Sequence, residues 1–294
     1  MSMKVSGFSF IKNALIYDFP IVEAIKSILP ICDEFVVAVG ESEDDTLELI
    51  RKIDPRKIRI VETQWDESLR EGGQVLALET DKAFGKLSGD SDWAFYIQGD
   101  EVIHEKYLDV VYDAMLKYKD DKDIDGLLFK YLHFYGSYDY VGASSKWYKH
   151  EIRVVRNDRS IYSYRDAQGF RKGENEKLVV QPINAYVYHY GWVKEPETMQ
   201  SKLENNSKYW HDDQWINENI RTENNSYAYD RHIKELKLFQ EEHPQVMKKR
   251  IETKNWKFEY DISRNSKSTK DKIKGFLNKA FGLDFSYKNY KLAK

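Results

Sequence analysis

Patterns typical of strands and helices alternate over about the first hundred residues, and this alternation limits the fold more than any other feature of the chain. Short apolar runs predict strands at residues 4–10, 34–39, 57–61 and 92–98. Apolar residues at helical spacing predict helices between them, the first with an N-cap at Asp18 and Pro20 in its first turn. The order β-α-β-α-β-α-β indicates a parallel sheet covered by helices, so the sequence predicts an α/β fold.

The fourth predicted strand ends in the segment Gln98-Gly99-Asp100-Glu101. In open α/β sheets, ligands bind in the crevice at the carboxyl ends of the strands. Two acids beside a glycine at that position suit a divalent cation that neutralises a phosphate. A solvated acidic turn is the alternative interpretation of the segment by itself.

Three segments resemble family 2 glycosyltransferases, which have the GT-A nucleotide-sugar-binding fold. Residues 9–13 resemble the loop after the first strand of that family, where an asparagine opens the first helix. Residues 39–46, Val-Gly-Glu-Ser-Glu-Asp-Asp-Thr, resemble its Asp-Asp-Gly-Ser-x-Asp-x-Thr turn. Residues 98–101 stand where the family has its Asp-x-Asp motif, which holds the metal and the donor diphosphate. The resemblance covers about the first third of the chain.

The resemblance implies a GT-A-like, mostly parallel sheet flanked by helices, a nucleotide-sugar donor and a divalent cation, Mg or Mn. It also implies that the donor contacts a set of residues near these motifs: Ser9, Asn13, Glu41, Arg70, Gln98 and Asp100.

Two departures from the family pattern matter for the predicted donor site. Val39 and Gly40 stand where the family has a carboxylate that contacts the nucleobase. The identity of the nucleobase is therefore left open, and Glu41 nearby could replace the carboxylate. Neutral Gln98 replaces the first Asp of the motif and predicts a weak or dispensable metal. Arg70 could then help to hold the diphosphate, or it could be an exposed surface arginine.

The second half of the chain carries the predicted acceptor side. Helices are predicted at residues 104–119, 195–210 and 229–242, and strands at 125–131 and 151–157. Aromatic side chains are dense over residues 131–148 and suit the C–H face of a sugar ring, although many of them could belong to the core. Tyr138, Trp147 and Arg171 are the candidate acceptor-binding residues.

Asp166 is the candidate catalytic base because it lies in a loop of mixed charge, Ser-Tyr-Arg-Asp-Ala-Gln-Gly-Phe-Arg, at residues 163–171. Family 2 enzymes place an Asp or Glu downstream of the metal motif for this purpose, and the base deprotonates the acceptor hydroxyl. A structural ion pair with one of the neighbouring arginines is the alternative. Glu101 and Glu151 are the other candidate bases.

His189 follows a predicted strand in the segment Tyr-Val-Tyr-His-Tyr-Gly-Trp, residues 186–192. Several GT-A enzymes complete the metal or diphosphate site with a late histidine, and His189 is similar in placement. A histidine among aromatic residues can also be a core residue with satisfied hydrogen bonds. We predict that His189 joins Asp100 as a metal ligand.

Composition limits the partners and the compartment. The 294 residues carry a net charge of −3, which does not favour nucleic acid as a partner. The one cysteine predicts no disulfide framework and indicates a reducing, cytoplasmic environment. No apolar run is long enough to span a bilayer.

We divide the chain into a catalytic domain at 1–225, with a donor half at 1–103 and an acceptor half at 104–225, and a helical C-terminal extension at 226–294. Residues 270–283 combine lysines with an apolar stripe, which is typical of a helix on an anionic membrane surface. A helix packed on its own domain is the alternative. Peripheral contact with the inner membrane face would suit a lipid-linked acceptor.

The resulting functional prediction is transfer of a sugar from a nucleotide sugar to a glycan or lipid-linked acceptor, with inversion at the anomeric carbon. The alternative is a non-catalytic relative that keeps the fold as a sugar-binding or scaffolding module. Gln98, Val39 and Gly40 favour this alternative.

Overall fold

The computed structural model describes residues 2–233, 235–266 and 288–293. In this part of the chain the strands are β1 (Val5–Ile11), β2 (Glu34–Gly40), β3 (Ile58–Thr63), β4 (Trp93–Tyr96), β5 (Glu101–Ile103), β6 (Gly126–Tyr135), β7 (Ser137–Gly142), β8 (His150–Arg156), β9 (Ile161–Tyr164), β10 (Gly169–Lys172), β11 (Glu176–Lys177), β12 (Val179–Trp192), β13 (Leu236–Leu238) and β14 (Lys291–Leu292). The α-helices are α1 (Ile21–Ile28), α2 (Thr46–Arg51), α3 (Gln74–Phe84), α4 (Leu108–Lys117), α5 (Pro196–Ser207), α6 (Asp213–Asn219) and α7 (Lys248–Glu252).

The first four strands form a parallel unit in the order β3-β2-β1-β4. Helices α1, α2 and α3 connect them along the chain, and the predicted α/β fold is confirmed. Strand β2 shows why this half of the fold can be predicted from the apolar pattern of the sequence. Phe35 and Val37 pack into one core with Ile25 of α1, whereas Val36 and Ala38 face a second core with α3. A strand buried on both faces must be apolar along its buried residues, as β2 is from Phe35 to Val39.

The rest of the large sheet is mixed. Strand β8 pairs antiparallel with both β4 and β6, and so joins the parallel unit to the second half of the chain. The long strand β12 runs parallel to β6 and pairs antiparallel with the short β5, which begins at Glu101, the second of the two strand-end acids. Strands β7 and β13 form one edge, and β14 pairs with β12. Strands β9, β10 and β11 form a separate small sheet.

Two predicted elements differ locally from the structure. Asp18 is not an N-cap, because its backbone has a left-handed φ of 47° and α1 begins only after Pro20. Its carboxylate instead pairs with Arg250, and its carbonyl oxygen accepts a hydrogen bond from Lys194.

The helix predicted at 229–242 is also wrong. A single 3-10 turn, Tyr229–His232, precedes β13, which pairs antiparallel with β7. Without β13, the edge of β7 would expose unpaired backbone groups. Strand β13 pairs with this edge, and Leu236 is buried there. The predicted amphipathic segment at 270–283 lies outside the described residues, so the tail stays a prediction. No helix in the described ranges is long and apolar enough to cross a membrane.

Candidate active site

A cavity of about 310 Å³ lies at the carboxyl ends of β1 and β4. This is the location at which open α/β sheets bind ligands. Aromatic side chains form much of its wall: Phe10, Tyr17, Phe19, Trp65, Tyr148 and Tyr209. Polar side chains face the same space: Lys12, Gln98, Asp100, Asp166, Gln168, Asn205 and Asn206. The cavity therefore combines flat apolar surfaces with a few polar groups, as ligand sites usually do.

The indole of Trp65, from the β3–α3 loop, packs against Gly40 at the end of β2, where the resembled family has its base-contacting carboxylate. A Cβ atom at Gly40 would lie only 2.4 Å from the indole Nε1, so the indole needs a glycine at this position. The ring packs between Phe10 and Tyr209, with centroid distances of 5.8 and 5.6 Å. An aromatic surface thus replaces a carboxylate at this end of the cavity.

Asp100 is surrounded by cationic and imidazole groups. Its Oδ2 accepts a hydrogen bond of 3.1 Å from the Lys202 ammonium, and its Oδ1 lies 3.7 Å from His189 Nε2. Burial alone would raise the pKa of Asp100, but Lys202, His189 and Lys194 hold it well below its usual range. Asp100 is therefore ionised at neutral pH although only 13% of its side chain is exposed.

The two lysines near Asp100 are buried. Lys202 also donates to the carbonyl oxygen of Gly191, at 2.8 Å, and both ammonium groups lie 4.9 Å from the ring centre of Phe19. Burial, together with repulsion from Lys202, lowers the pKa of Lys194 to about 7. The buried surroundings of Asp100 can therefore carry one or two positive charges, depending on pH.

His189 lies on β12 beside His133 of β6. Their Nδ1 atoms are 3.1 Å apart, and the Nε2 of His133 is 2.8 Å from the carbonyl oxygen of Tyr148. Burial lowers the pKa of both rings, that of His133 to about 3. Both rings are therefore neutral near pH 7.

Glu101 does not face the cavity. Its carboxylate is fully buried and receives two hydrogen bonds of 2.7 Å from Arg153. The hydroxyl of Tyr131 and the backbone N–H of Gln98 donate to the same carboxylate, at 2.8 and 3.1 Å. Glu101 is therefore inaccessible to an acceptor and cannot act as the catalytic base. Its carboxylate forms a buried ion pair with Arg153 instead.

Asp166 lines the cavity from the loop between β9 and β10. Both of its neighbours, Arg165 and Ala167, have left-handed φ values of 57° and 61°. Backbone strain of this kind is common at functional sites. Burial raises the pKa of Asp166, which makes its carboxylate a stronger proton acceptor.

Gln98 connects the strand-end segment to the loop of Asp166. Its Nε2 donates a hydrogen bond of 3.0 Å to the carbonyl oxygen of Ala167. An aspartate at this position would place a carboxylate against that carbonyl and could not donate. The departure from the family motif therefore has a structural reason in this chain.

Glu151, the remaining candidate base, is buried beside Gln168, which donates to its Oε1 at 2.9 Å. Burial raises the pKa of Glu151 to about 8, so this carboxyl group is mostly protonated at neutral pH. Its Oε2 has no hydrogen-bond partner among the described residues. Glu151 does not line the cavity.

Four predicted donor contacts lie outside the cavity wall. Ser9 donates to the carbonyl oxygen of Ile97 at 2.6 Å, and Asn13 accepts from the backbone N–H of Glu43 at 2.8 Å. Glu41 is exposed, and Arg70 pairs with Asp213 at 2.7 Å. Ser9 and Asn13 hold neighbouring segments together, so their similarity to the family motif has a structural explanation.

The three predicted acceptor contacts also lie outside this wall. Tyr138 is buried, 5.7 Å from the ring of Tyr190. Trp147 stacks on His133 at 5.0 Å between ring centres. Arg171 is buried and donates to the carbonyl oxygen of Asn289 at 2.8 Å, which fastens the C-terminal residues to β10.

The cavity residues that the sequence analysis missed come mainly from the β3–α3 loop and the end of α5. Trp65, Asn205, Asn206 and Tyr209 are the clearest examples. An Asn-Asn pair followed by an aromatic residue at the end of a predicted helix is a weak local signal. Only the tertiary structure, which places the end of α5 on the cavity wall, makes it visible.

A divalent cation would have two ligands from the protein at this site. No group of three or more His, Cys, Asp or Glu side chains that could hold a metal occurs among residues 2–233, 235–266 and 288–293. The 3.7 Å between Asp100 Oδ1 and His189 Nε2 is less than twice a usual metal–oxygen distance of about 2.1 Å, so one ion could contact both atoms. Mg²⁺ commonly takes its other ligands from substrate phosphates and water.

The space around this atom pair is kept open by Gly191. A Cβ atom there would lie 2.7 Å from Asp100 Oδ2 and from His189 Nε2. The two residues therefore fit a metal site that the substrate completes.

No protein-family model and no curated protein matches the chain. Among solved structures, residues 1–349 of TarS from S. aureus share 16% identity, with a TM-score of 0.40 over 69% of this chain and 64% of that one. A longer TarS structure gives 17% identity and a TM-score of 0.42, and the match covers 69% of this chain and 39% of that one.

A third similar structure is glucosyl-3-phosphoglycerate synthase from Mycobacterium tuberculosis, in complex with Mn²⁺, uridine diphosphate and phosphoglyceric acid. It shares 21% identity and a TM-score of 0.30, over 45% of this chain and 44% of that one. The chain thus spans less than two thirds of the length of each of these proteins. TM-scores below 0.5 do not establish a shared fold, so the functional argument depends on the site itself.

Proposed function

We propose that this protein is a GT-A-type glycosyltransferase that moves a sugar from a nucleotide-sugar donor to a hydroxyl group of a glycan or lipid-linked acceptor. One observation carries the proposal. Asp100 and Asp166 line the same cavity at the carboxyl ends of parallel strands β1 and β4. One acid is kept ionised by neighbouring cations, and the other has a raised pKa. Carboxylates with such different surroundings suit different roles in one reaction.

The donor would lie with its diphosphate beside Asp100, His189 and Lys202. Asp100 and His189 would hold Mg²⁺ or Mn²⁺, which when bound neutralises charge on the diphosphate. The buried Lys202 ammonium adds a fixed positive charge, so the cation could be weakly bound or dispensable. Trp65 and Tyr209 offer stacking surfaces for a nucleobase, whose identity stays open.

Asp166 would act as the base in an inverting transfer. The acceptor oxygen forms a bond to the anomeric carbon while the bond from that carbon to the diphosphate oxygen breaks. The hydroxyl proton passes to the Asp166 carboxylate, and the nucleoside diphosphate leaves with the electron pair of the broken bond. The raised pKa of Asp166 supports this role, because a base works best with a pKa nearer the working pH.

The test is release of nucleoside diphosphate from a panel of uridine, guanosine, cytidine and thymidine nucleotide sugars, with Mn²⁺, with Mg²⁺ and with chelator. Water can replace the acceptor in this assay. We expect slow release from one member of the panel and faster release when glycan or lipid-linked acceptors are added. No release from any donor, with every acceptor tested, would contradict the enzymatic proposal.

A non-catalytic sugar-binding or scaffolding protein is the second candidate. It is favoured by Gln98, which replaces an acid, and by the Asp100–Lys202 pair, which occupies one carboxylate oxygen. Binding of a nucleotide sugar or a free glycan without turnover would support this alternative.

We further propose a cytoplasmic enzyme with a catalytic domain at 1–225 and a C-terminal extension that contacts the inner membrane face through residues 270–283. The lysines of this segment could each contribute about 1 kcal/mol at an anionic surface. Co-sedimentation with anionic liposomes, for the natural sequence and for a variant with the lysines of residues 270–283 replaced by glutamine, tests this contact. Equal, salt-independent pelleting of both would contradict it.

A further inference from the structure

His133 is a buried imidazole that no part of the proposed reaction uses. It lies on β6 in register with His189 on β12, and only 3% of it is exposed. Trp147 stacks on one side of the ring, at 5.0 Å between ring centres, and Tyr148 packs edge-on at 4.4 Å. The ring is therefore held in one orientation, with one nitrogen facing His189 and the other facing the backbone.

The hydrogen bonds of His133 determine which of its nitrogens carries the proton. Its Nε2 is 2.8 Å from the carbonyl oxygen of Tyr148, and a carbonyl oxygen can only accept. His133 Nε2 must therefore donate, and in a neutral imidazole the Nδ1 is then an acceptor. Burial of the ring favours the neutral form.

The proton position on His133 determines the proton position on His189. His133 Nδ1 is 3.1 Å from His189 Nδ1, and since the first atom accepts, the second must donate. A neutral His189 then has its lone pair on Nε2, the atom 3.7 Å from Asp100 Oδ1. The opposite assignment would place two lone pairs against each other 2.8 Å apart at Tyr148, which is strongly unfavourable.

Two acceptor atoms therefore converge where the cation is proposed to bind. An ionised carboxylate oxygen and an imidazole lone pair repel each other unless a positive charge lies between them. Metal-binding histidines usually donate their other N–H to a carbonyl, carboxylate or water, which fixes the tautomer. Here a neutral histidine, itself oriented by a backbone carbonyl, provides that acceptor.

We infer that His133 is a positioning residue that holds His189 in the tautomer able to bind a divalent cation together with Asp100. The inference rests on the proposed metal role of Asp100 and His189. It assigns a function to a residue that does not itself line the cavity.

The tautomer can be measured without activity and without metal. The protein has seven histidines, so selective ¹⁵N-histidine labelling and long-range ¹H–¹⁵N correlation can resolve their ring nitrogens at neutral pH. We expect His133 with its proton on Nε2 and His189 with its proton on Nδ1. A His189 protonated on Nε2, or a doubly protonated His133, would overturn the inference.

Binding of Mn²⁺ to the nucleotide-free protein provides the second measurement. His133→Phe keeps an aromatic ring but removes the acceptor, and we expect Mn²⁺ affinity to fall about 10–100-fold, the usual effect of losing such a supporting hydrogen bond. His133→Asn can present its amide oxygen near the position of Nδ1, so it should retain more of the affinity than His133→Phe. His243→Phe is the matched control, because it removes another, half-buried imidazole that bonds Tyr190 and the Tyr138 carbonyl oxygen.

The outcomes separate this inference from the proposed function. Equal Mn²⁺ affinity in wild-type protein and His133→Phe overturns the inference and leaves the transferase proposal standing. No Mn²⁺ binding by the wild-type protein overturns the metal site and the inference together, while nucleotide release in chelator would still support transfer. If His133→Phe misfolds, the comparison of Mn²⁺ affinity between the wild-type protein and His133→Asn decides, together with the tautomer measurement.

Discussion

Two neighbouring acids at one strand end have opposite surroundings. Glu101, Tyr131 and Arg153 form what we call the core-side cluster, in which the carboxylate is fully buried and receives four hydrogen bonds, the fourth from the backbone of Gln98. Asp100, His189 and Lys202 form the cavity-side cluster, in which the carboxylate has one ammonium partner and an imidazole beyond hydrogen-bond range. The core-side cluster is satisfied, and the cavity-side cluster leaves acceptor capacity free for a cation.

The difference shows how adjacent residues separate into structural and functional roles. Asp100 lies in the turn at residues 98–101, where the backbone N–H of Glu101 donates to the carbonyl oxygen of Gln98, and Glu101 begins β5. The Glu101 side chain is directed to the core, where a buried acid must find a complete set of donors. Its neighbour faces the cavity and can remain incompletely paired, because a ligand can complete it.

Removing the cation of the core-side cluster should have the largest effect. Arg153→Met leaves Glu101 as an unpaired buried charge, and we expect the free energy of unfolding to fall by about 3–5 kcal/mol. Chemical denaturation measures the change. The double variant Arg153→Met/Glu101→Gln should recover much of the loss, since it leaves no buried charge. A loss below about 1 kcal/mol in Arg153→Met would mean that the pair is not structural.

Asp100→Asn tests the cavity-side cluster. We expect transfer to slow by about a thousandfold, because an amide is a poor partner for the cation and the charge balance at the diphosphate is lost. The free energy of unfolding should change less than in Arg153→Met, which denaturation measures in parallel. Asp213→Asn, on the surface, is the matched control for activity. Normal turnover in Asp100→Asn, with and without chelator, would remove Asp100 from the site.

Asp166→Asn should slow turnover by about a hundredfold, the usual scale for loss of a general base. Donor affinity should hardly change, because the residue acts on the acceptor hydroxyl. The measurement is kcat against KM for the donor, at saturating acceptor. In the wild-type protein, activity should rise with pH as Asp166 loses its proton, above the ordinary range for an aspartate. Weak donor binding with normal turnover would instead make Asp166 a donor-site residue.

The last prediction concerns Glu151 and the pH dependence of stability. Its pKa is raised from 4.5 to about 8 by burial, so the folded protein binds this proton more tightly than the unfolded chain. Its contribution to stability is complete below about pH 4.5 and is lost as the pH rises through about 8. The free energy of unfolding of Glu151→Gln should therefore fall less than that of the wild-type protein between pH 5 and about 9. Chemical denaturation at each pH measures both. Parallel curves for the two proteins would show that Glu151 is ionised in the folded state.

Local sequence patterns predicted the parallel half of the fold well. Strand β2 was expected at residues 34–39 and is found at Glu34–Gly40, because both faces of this strand are buried and the pattern is continuous. The edge strand β13 was mistaken for part of a helix, because a three-residue strand takes its stability from its partner β7 and has almost no periodicity of its own.

The candidate site was predicted in part. Asp100, Gln98 and Asp166 line the cavity, as a strand-end acid, its neighbour and a charged loop suggested. Tyr138 and Arg171 belong to buried clusters, because aromatic and charged residues in a sequence look alike whether they serve packing or binding. Composition alone cannot distinguish these two uses.

Local sequence patterns are sufficient to predict the β-α-β order and the position of Asp100 at a strand end, since both depend on neighbouring residues. The tertiary structure alone decided that Glu101 turns into the core, that Lys202 reaches Asp100 from 102 residues away, and that His133 meets His189 across 56 residues. Local periodicity reports which face of an element is buried. It carries no information on which distant residue lies opposite, and the donors and acceptors of this site are set by those distant contacts.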